Sequence, residues 1–180
     1  FTSGATESDN IALIGVADAY ADKGNHIVIS AIEHKAVLDA AKYLQTRGVA
    51  ITVLPVDHYG LVDPCELEKA LKPETILVSV MLANNEIGTV QKMQELGAIT
   101  RSHGVLFHTD AAQAVGHIPV NVESMNIDLM SISGHKIYGP KGIGVLFARL
   151  RNPRAKPSPL IHGGGHERGI RSGTLNVPGI

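Results

Sequence analysis

Six short runs of apolar and β-branched residues punctuate the chain: His26–Ser30, Ala50–Val56, Ile76–Leu82, Gly104–His108, Ile127–Ser133 and Ile143–Ala148. Their length and their glycine or polar boundaries predict strands. The gaps between them hold helix-like segments at Glu33–Arg47 before Gly48, Pro64–Lys72 before Pro73, and Gln91–His103 before Gly104. Thr6–Lys23, opened by a Thr/Ser/Gly cluster and closed by Gly24, predicts a helix ahead of the first strand, and Val122–Asn126 is a weaker helix candidate. Alternation of strand and helix implies a parallel sheet covered by helices on its faces. The last gap breaks the rule, because only Gly134–Gly142 separates the final two strands, and a parallel crossover takes about a dozen residues or more. The expected fold class is therefore α/β: three layers, with a mostly parallel sheet and one antiparallel strand after Lys136. Arg149–Pro159, with three prolines and four basic residues, predicts a linker or exposed connection.

Composition narrows the classes. A chain of 180 residues with 44% hydrophobic and 18% charged residues has the make-up of one globular domain rather than a disordered segment. The net charge is −1, and no basic run interleaved with aromatics is present, so nucleic acid is not an expected partner. No apolar stretch approaches the ~18 residues of a membrane span, and the first residues carry no signal-peptide pattern. A single cysteine excludes an internal disulfide and a cysteine-rich metal cluster.

In an open parallel sheet, ligands bind outside the carboxyl ends of the strands. The residues expected there are polar in four successive cases: Glu33 and His34; Asn84, Asn85 and Glu86; Asp110 and Gln113; Ser133, His135 and Lys136. Each alone has a plainer reading, with Asn84 and Asn85 as turn formers, Asp110 as a helix cap and His34 as a surface helix start. Their recurrence at one end of four strands favours one site. Lys136 lies between two glycine turns in SISGHKIYGPKGIG, Ser131–Gly144, where no Walker pattern occurs. A Schiff-base lysine is the other reading; pyridoxal phosphate would also need an acid for its pyridine nitrogen, which Asp110 supplies, and an anion site. Thr2–Ser8, a small-residue turn running into a helix, offers free N–H groups for the latter. His162 and His166 have the spacing of a helical zinc pair, but Gly163–Gly165 between them argue against a helix and hence a metal site.

The blocks TSGATES (Thr2–Ser8), EHKAV (Glu33–Val37), NNEIG (Asn84–Gly88), HTDAAQ (His108–Gln113), SGHKIYGPKGIG (Ser133–Gly144) and GGGHERGIRSGT (Gly163–Thr174) resemble, in order and across the chain, one known family. It is that of the bacterial and mitochondrial cysteine desulfurases of the IscS/NifS type, in the class V aminotransferase group of pyridoxal-phosphate fold type I. The resemblance implies that Lys136 carries the cofactor aldehyde, that Asp110 pairs with the pyridine nitrogen, and that Gln113 bonds the phenolic oxygen with Asn85 beside it. It implies that His34 stacks over the ring and moves protons, that Ala5, Thr6, Ser133 and His135 hold the phosphate, and that Thr174 reaches the phosphate of the other subunit in a homodimer. The implied reaction takes L-cysteine to L-alanine and an enzyme persulfide, which supplies an iron–sulfur scaffold protein or tRNA thiolation in the cytoplasm, or in the mitochondrial matrix of a eukaryote. Residues 1–180 would then be part of the cofactor-binding large domain. The small domain and the loop bearing the nucleophilic cysteine are expected beyond Ile180, so this piece alone is expected to be inactive. Cys65, at the start of the Pro64–Lys72 helix with Glu66 placed for a capping box, matches no family motif and reads as a bystander. A class V aminotransferase or related lyase, and a catalytically silent scaffold of the same fold, are the alternative readings.

Overall fold

The computed structural model describes residues 1–180. It contains helices α1 (Ala5–Ala19), α2 (Lys35–Thr46), α3 (Pro64–Ala70) and α4 (Met93–Ser102), with strands β1 (His26–Ser30), β2 (Ala50–Leu54), β3 (Thr75–Ser79), β4 (Leu106–Asp110), β5 (Leu129–Ser133) and β6 (Gly144–Ala148). The strands form one sheet in the order β2-β1-β3-β4-β5-β6. All pairings are parallel except β5 with β6, where Leu129 faces Ala148 and Ser133 faces Gly144. The short Gly134–Gly142 connection has the consequence expected of it.

Strands β1, β3 and β4 are buried along their whole length, because successive side chains point to opposite faces. Ile27, Ile29, Leu77 and Leu106 pack on Leu13 and Val16 of α1 and on Val37 and Leu44 of α2. Val28, Val78 and Phe107 face the other way, onto Leu67 of α3 and onto Met93 and Leu96 of α4. Each such side chain contributes about 1.5–3 kcal/mol by leaving water, and the two apolar layers make the three-layer architecture.

Several predicted boundaries move, for identifiable reasons. Helix α1 is capped at Tyr20, with Lys23 and Gly24 in the turn that follows. Helix α4 begins at Met93 rather than Gln91: the Gln91 side chain is buried, accepting from the Val62 N–H at 3.0 Å and donating to the Gly60 carbonyl at 2.6 Å. Val122–Asn126 is a turn, not a helix; the Asn121 side chain accepts from the Glu123 and Ser124 N–H groups, so the β4–β5 crossover has no regular helix. The predicted capping box on α3 is half formed. Asp63 accepts from the Cys65 N–H at 2.8 Å, while Glu66 turns away to Lys69 at 2.7 Å.

The basic, proline-containing segment after β6 is not a free linker. Arg149 is buried, donating to the Ile127 and Val122 carbonyls and pairing with Glu123 at 2.7 Å and Asp128 at 3.1 Å. Ala155 is buried as well, and the Ser158 N–H donates to the Gly15 carbonyl at 2.8 Å. The strap lies so close to α1 that a Cβ at Gly15 would sit 2.5 Å from the Ser158 carbonyl oxygen and 2.8 Å from Pro157 Cβ. Gly15→Ala in the full-length protein should therefore cost about 1–3 kcal/mol, read by denaturant unfolding, even though alanine is the better helix former. An unchanged midpoint would mean that the strap does not press on α1.

Candidate active site

The carboxyl ends of the parallel strands open into a crevice of about 500 Å³, lined by Ser3–Glu7, His34, Met81, Asn85, Asp110, Ala112, Gln113, Ser133, His135, Lys136, Lys141 and Gly142. Nine of the residues expected at the site therefore meet in one place: Ala5, Thr6, His34, Asn85, Asp110, Gln113, Ser133, His135 and Lys136. Thr174 does not join them; it is exposed on the segment after the strap. Met81, Glu7 and Lys141 line the crevice without having been singled out, since their neighbourhood is made by chain segments distant in sequence.

The α1 wall is stitched to β6. The Thr2 N–H donates to the Gly144 carbonyl and the Gly144 N–H to the Thr2 carbonyl, both at 2.9 Å. A Cβ at Gly144 would lie 2.5 Å from the Gly4 backbone, so only glycine allows this approach. The first hydrogen bond of the helix is from the Ser8 N–H to the Gly4 carbonyl, and no side chain caps the terminus. The N–H groups of Gly4, Ala5, Thr6 and Glu7 thus have no acceptor in the chain, at the electropositive end of a 15-residue helix. Glu7 would oppose an anion there, but its carboxylate pairs with Arg171 at 2.8 Å and accepts from the Ser3 N–H at 2.9 Å. Burial pushes its acidity toward higher pH, and the Arg171 and Ser3 bonds outweigh that and hold it below the usual range.

Asp110 closes β4 and is 5% exposed. One oxygen accepts from the Ala112 N–H at 2.9 Å; because residues 112–117 form turns rather than a helix, the carboxyl group closes a turn and is not the helix cap expected, while it also borders the crevice. Burial raises its pKa, opposed by that N–H and by the His34 ring. His34 likewise does two things: it caps α2, its Nδ1 accepting from the Ala36 N–H at 3.1 Å, and it borders the crevice. With Nδ1 accepting, a neutral His34 carries its proton on Nε2. Asn84 is structural, its amide oxygen accepting from the Glu86 and Ile87 N–H groups and its amide donating to the Ile32 carbonyl.

Lys136 ends a single turn, Gly134–Lys136, directly after β5. The loop is tied at its neck: the Gly134 N–H donates to the Ile143 carbonyl at 2.9 Å, and the Ile137 and Gly139 N–H groups donate to the Gly134 carbonyl at 3.1 and 2.9 Å. This presents Lys136 from a fixed base, beside Ser133 Oγ and His135 Nδ1, which are 3.0 Å apart. The donor set suits a phosphorylated aldehyde: unpartnered helix N–H groups for the phosphate, an amine for the carbonyl and a buried carboxyl for a basic ring nitrogen.

Helices on both faces of a mostly parallel sheet and a polar crevice at its strand ends define an α/β protein of three layers. The chain belongs to the Aminotransferase class-V family, whose model matches residues 1–180. It is 55% identical over 178 residues to the cysteine desulfurase IscS of Ehrlichia chaffeensis, covering 99% of this chain and 43% of that protein. It is 60% identical over 178 residues to the mitochondrial cysteine desulfurase of Eremothecium gossypii, covering 99% of this chain and 36% of that one. Among solved structures, a NifS-like protein superposes with a TM-score of 0.93 at 46% identity, covering 99% of this chain and 48% of its own. SspA in complex with cysteine gives 0.92 at 44%, covering 99% and 51%. The chain thus spans less than half the length of these two desulfurases.

Proposed function

We propose that this chain forms the cofactor-binding part of a pyridoxal-phosphate-dependent cysteine desulfurase, which takes L-cysteine to L-alanine and leaves the sulfur as a persulfide on an enzyme thiol. The observation that carries the reading is the convergence of Lys136, Asp110 and the unpartnered N-terminus of α1 on one crevice. The similarity to cysteine desulfurases, and to SspA, solved in complex with cysteine, supports the substrate.

Bound pyridoxal phosphate supplies an electron sink for bond breaking next to the substrate nitrogen. The N–H groups of Ala5 and Thr6, with Ser133 and His135, would hold its phosphate. Asp110 would hold a proton at the pyridine nitrogen, Gln113 would bond the phenolic oxygen, and Asn85 would pack beside it. Lys136 Nζ would bind the aldehyde and, once displaced by substrate, accept or return a proton at the substrate Cα. His34, which lines the crevice, would stack over the ring and move a second proton. Thr174, exposed and outside the crevice of its own chain, is read as reaching the phosphate of a second subunit in a homodimer. Sulfur would pass to an iron–sulfur scaffold protein or to a tRNA-thiolation acceptor, in the cytoplasm or the mitochondrial matrix. No helix is long and apolar enough to cross a membrane.

The test is incubation of the full-length protein with L-cysteine, with alanine, persulfide and 2-oxo acid all measured. Equal amounts of alanine and transferred sulfur are expected. With a 2-oxo acid added as amino acceptor, formation of 3-mercaptopyruvate and the acceptor's amino acid in place of alanine and persulfide would establish the second reading, a class V aminotransferase, in keeping with the family. Cys65 is exposed, and its backbone N–H is held by the Asp63 carboxylate at the start of α3, outside the crevice. Cys65→Ala should leave persulfide formation unchanged, and an extra sulfur on the Cys65 peptide by mass spectrometry would overturn its exclusion.

A further inference from the structure

Beneath the crevice lies a group of buried polar side chains for which the proposed reaction has no use. Asp9, on the inner face of α1, is fully buried, and neither of its carboxyl oxygens has a hydrogen-bond partner. Its nearest titratable neighbour is His108 of β4, with Nε2 at 3.6 Å from Oδ1. Glu33, after β1, is also buried; its Oε1 accepts from the Ser30 hydroxyl at 2.5 Å and the Met81 N–H at 2.8 Å, whereas Oε2 has no partner. Asp110 completes the set, and a negative charge on either Asp110 or Glu33 opposes ionisation of Asp9.

No cation balances these three acids from within. His108 is the one base in the layer, and both of its ring nitrogens meet serine hydroxyls, Nδ1 with Ser79 at 2.8 Å and Nε2 with Ser131 at 3.0 Å. Burial drives its pKa to about 3, so it is neutral. Strands β3, β5 and β6 bring no titratable residue to α1. From α2, His34 faces Asp110, while Lys35, Asp39, Lys42 and Tyr43 are exposed. On α1 itself Glu7 and Asp18 are paired with Arg171 and Arg47.

With only the Ser131 hydroxyl near Asp9 and one of the two Glu33 oxygens bonded, a carboxylate in this layer would forfeit most of its hydration, whereas the neutral acid loses far less. Burial accordingly raises Asp9 well above the carboxylate range and Glu33 to about 8. Asp110 differs from Asp9 in having an N–H donor, and from both in bordering the crevice, where the His34 ring favours its ionised form. We propose that Asp9 and Glu33 are held as neutral acids under the crevice, so that the three neighbouring carboxyl groups carry a single negative charge, and that this charge sits on Asp110. Asp9 and Glu33 are positioning residues in this scheme: by staying neutral they leave Asp110 as the one anion of the three, at the end of β4 where a cationic ring atom in the crevice can meet it. The charge assignment stands by itself; its use toward the pyridine nitrogen rests on the proposed function.

Infrared spectra of the full-length protein at neutral pH, with cofactor and after its removal, read the protonation states directly. The wild type should show stretching bands of buried protonated carboxyl groups; Asp9→Asn should remove one, Glu33→Gln another, and the double variant should leave none. Absence of such bands in the wild type, or a band surviving in the double variant, would overturn the proposal. A second readout follows from the sign of the linkage. A carboxyl group whose pKa is raised on folding adds stability below its unfolded value and loses it as pH rises toward the folded value. Asp9→Asn should therefore raise the thermal midpoint relative to wild type by about 2 °C or more at pH about 8, and by less at pH about 5; a lowered midpoint at the higher pH would count against it. Because the bands are read in the cofactor-free protein too, a failed cofactor assignment and a failed charge assignment give different results.

Discussion

Asp110→Asn is expected to cut desulfuration by the full-length protein roughly 10³-fold or more while leaving the fold as stable as before. The two halves of that result have separate causes. Asparagine keeps the oxygen that accepts from the Ala112 N–H and nearly the same volume, so packing at the end of β4 is preserved. Burial raises the Asp110 pKa, so the carboxylate works against folding at neutral pH and its removal should hold or raise the thermal midpoint. What the amide cannot do is stabilise a protonated ring nitrogen, and an electron sink without that charge is weak. Near-normal turnover by Asp110→Asn would remove this residue from the site, and a loss of activity that merely tracks a loss of folded protein would leave it a turn-closing residue only.

Lys136→Ala is expected to abolish covalent attachment of pyridoxal phosphate altogether. Borohydride reduction of the wild type should fix the cofactor to the peptide containing Lys136 and bleach the visible absorbance; the variant should yield no fixed cofactor, though the helix terminus can still bind the phosphate. Lys141, the other lysine of the crevice, is the internal control, and Lys141→Ala should retain the adduct. If trapping survives in Lys136→Ala and vanishes in Lys141→Ala, the second lysine of the loop is the carrier. The tied neck of the loop, from Gly134 to Ile143 and Gly139, is what gives the two lysines different positions despite their closeness in sequence.

Much of this architecture can be read from local pattern because its causes are local. Buried parallel strands need continuous apolar runs, which is why His26–Ser30 and Ile76–Leu82 stand out. Too short a connection cannot cross over, which is why the orientation of Gly144–Ala148 follows from counting residues. The position of polar residues directly after apolar runs likewise marks His34, Asn85, Asp110 and Lys136, since the strand ends of such a sheet all open on one side. The family blocks added roles for individual atoms, which spacing alone does not carry.

The sequence by itself determined the order of elements, the mixed sheet and nine of the residues that line the crevice. Tertiary structure decided what depends on segments far apart in the chain. The start of α4 was set by Gln91 bonding to Gly60 and Val62, and the strap after β6 by Arg149 reaching Ile127 and Asp128. Burial of Asp9 and of Glu33 Oε2 without partners was likewise invisible in the pattern, because an aspartate in the first turns of a helix ordinarily faces water and interacts with the helix dipole. Only the seating of α1 on β4 and β5 puts it against His108 and near Asp110. Hydrophobic period reports which face of an element is apolar; the charge that a buried polar group carries depends on which atoms the packed layers place around it.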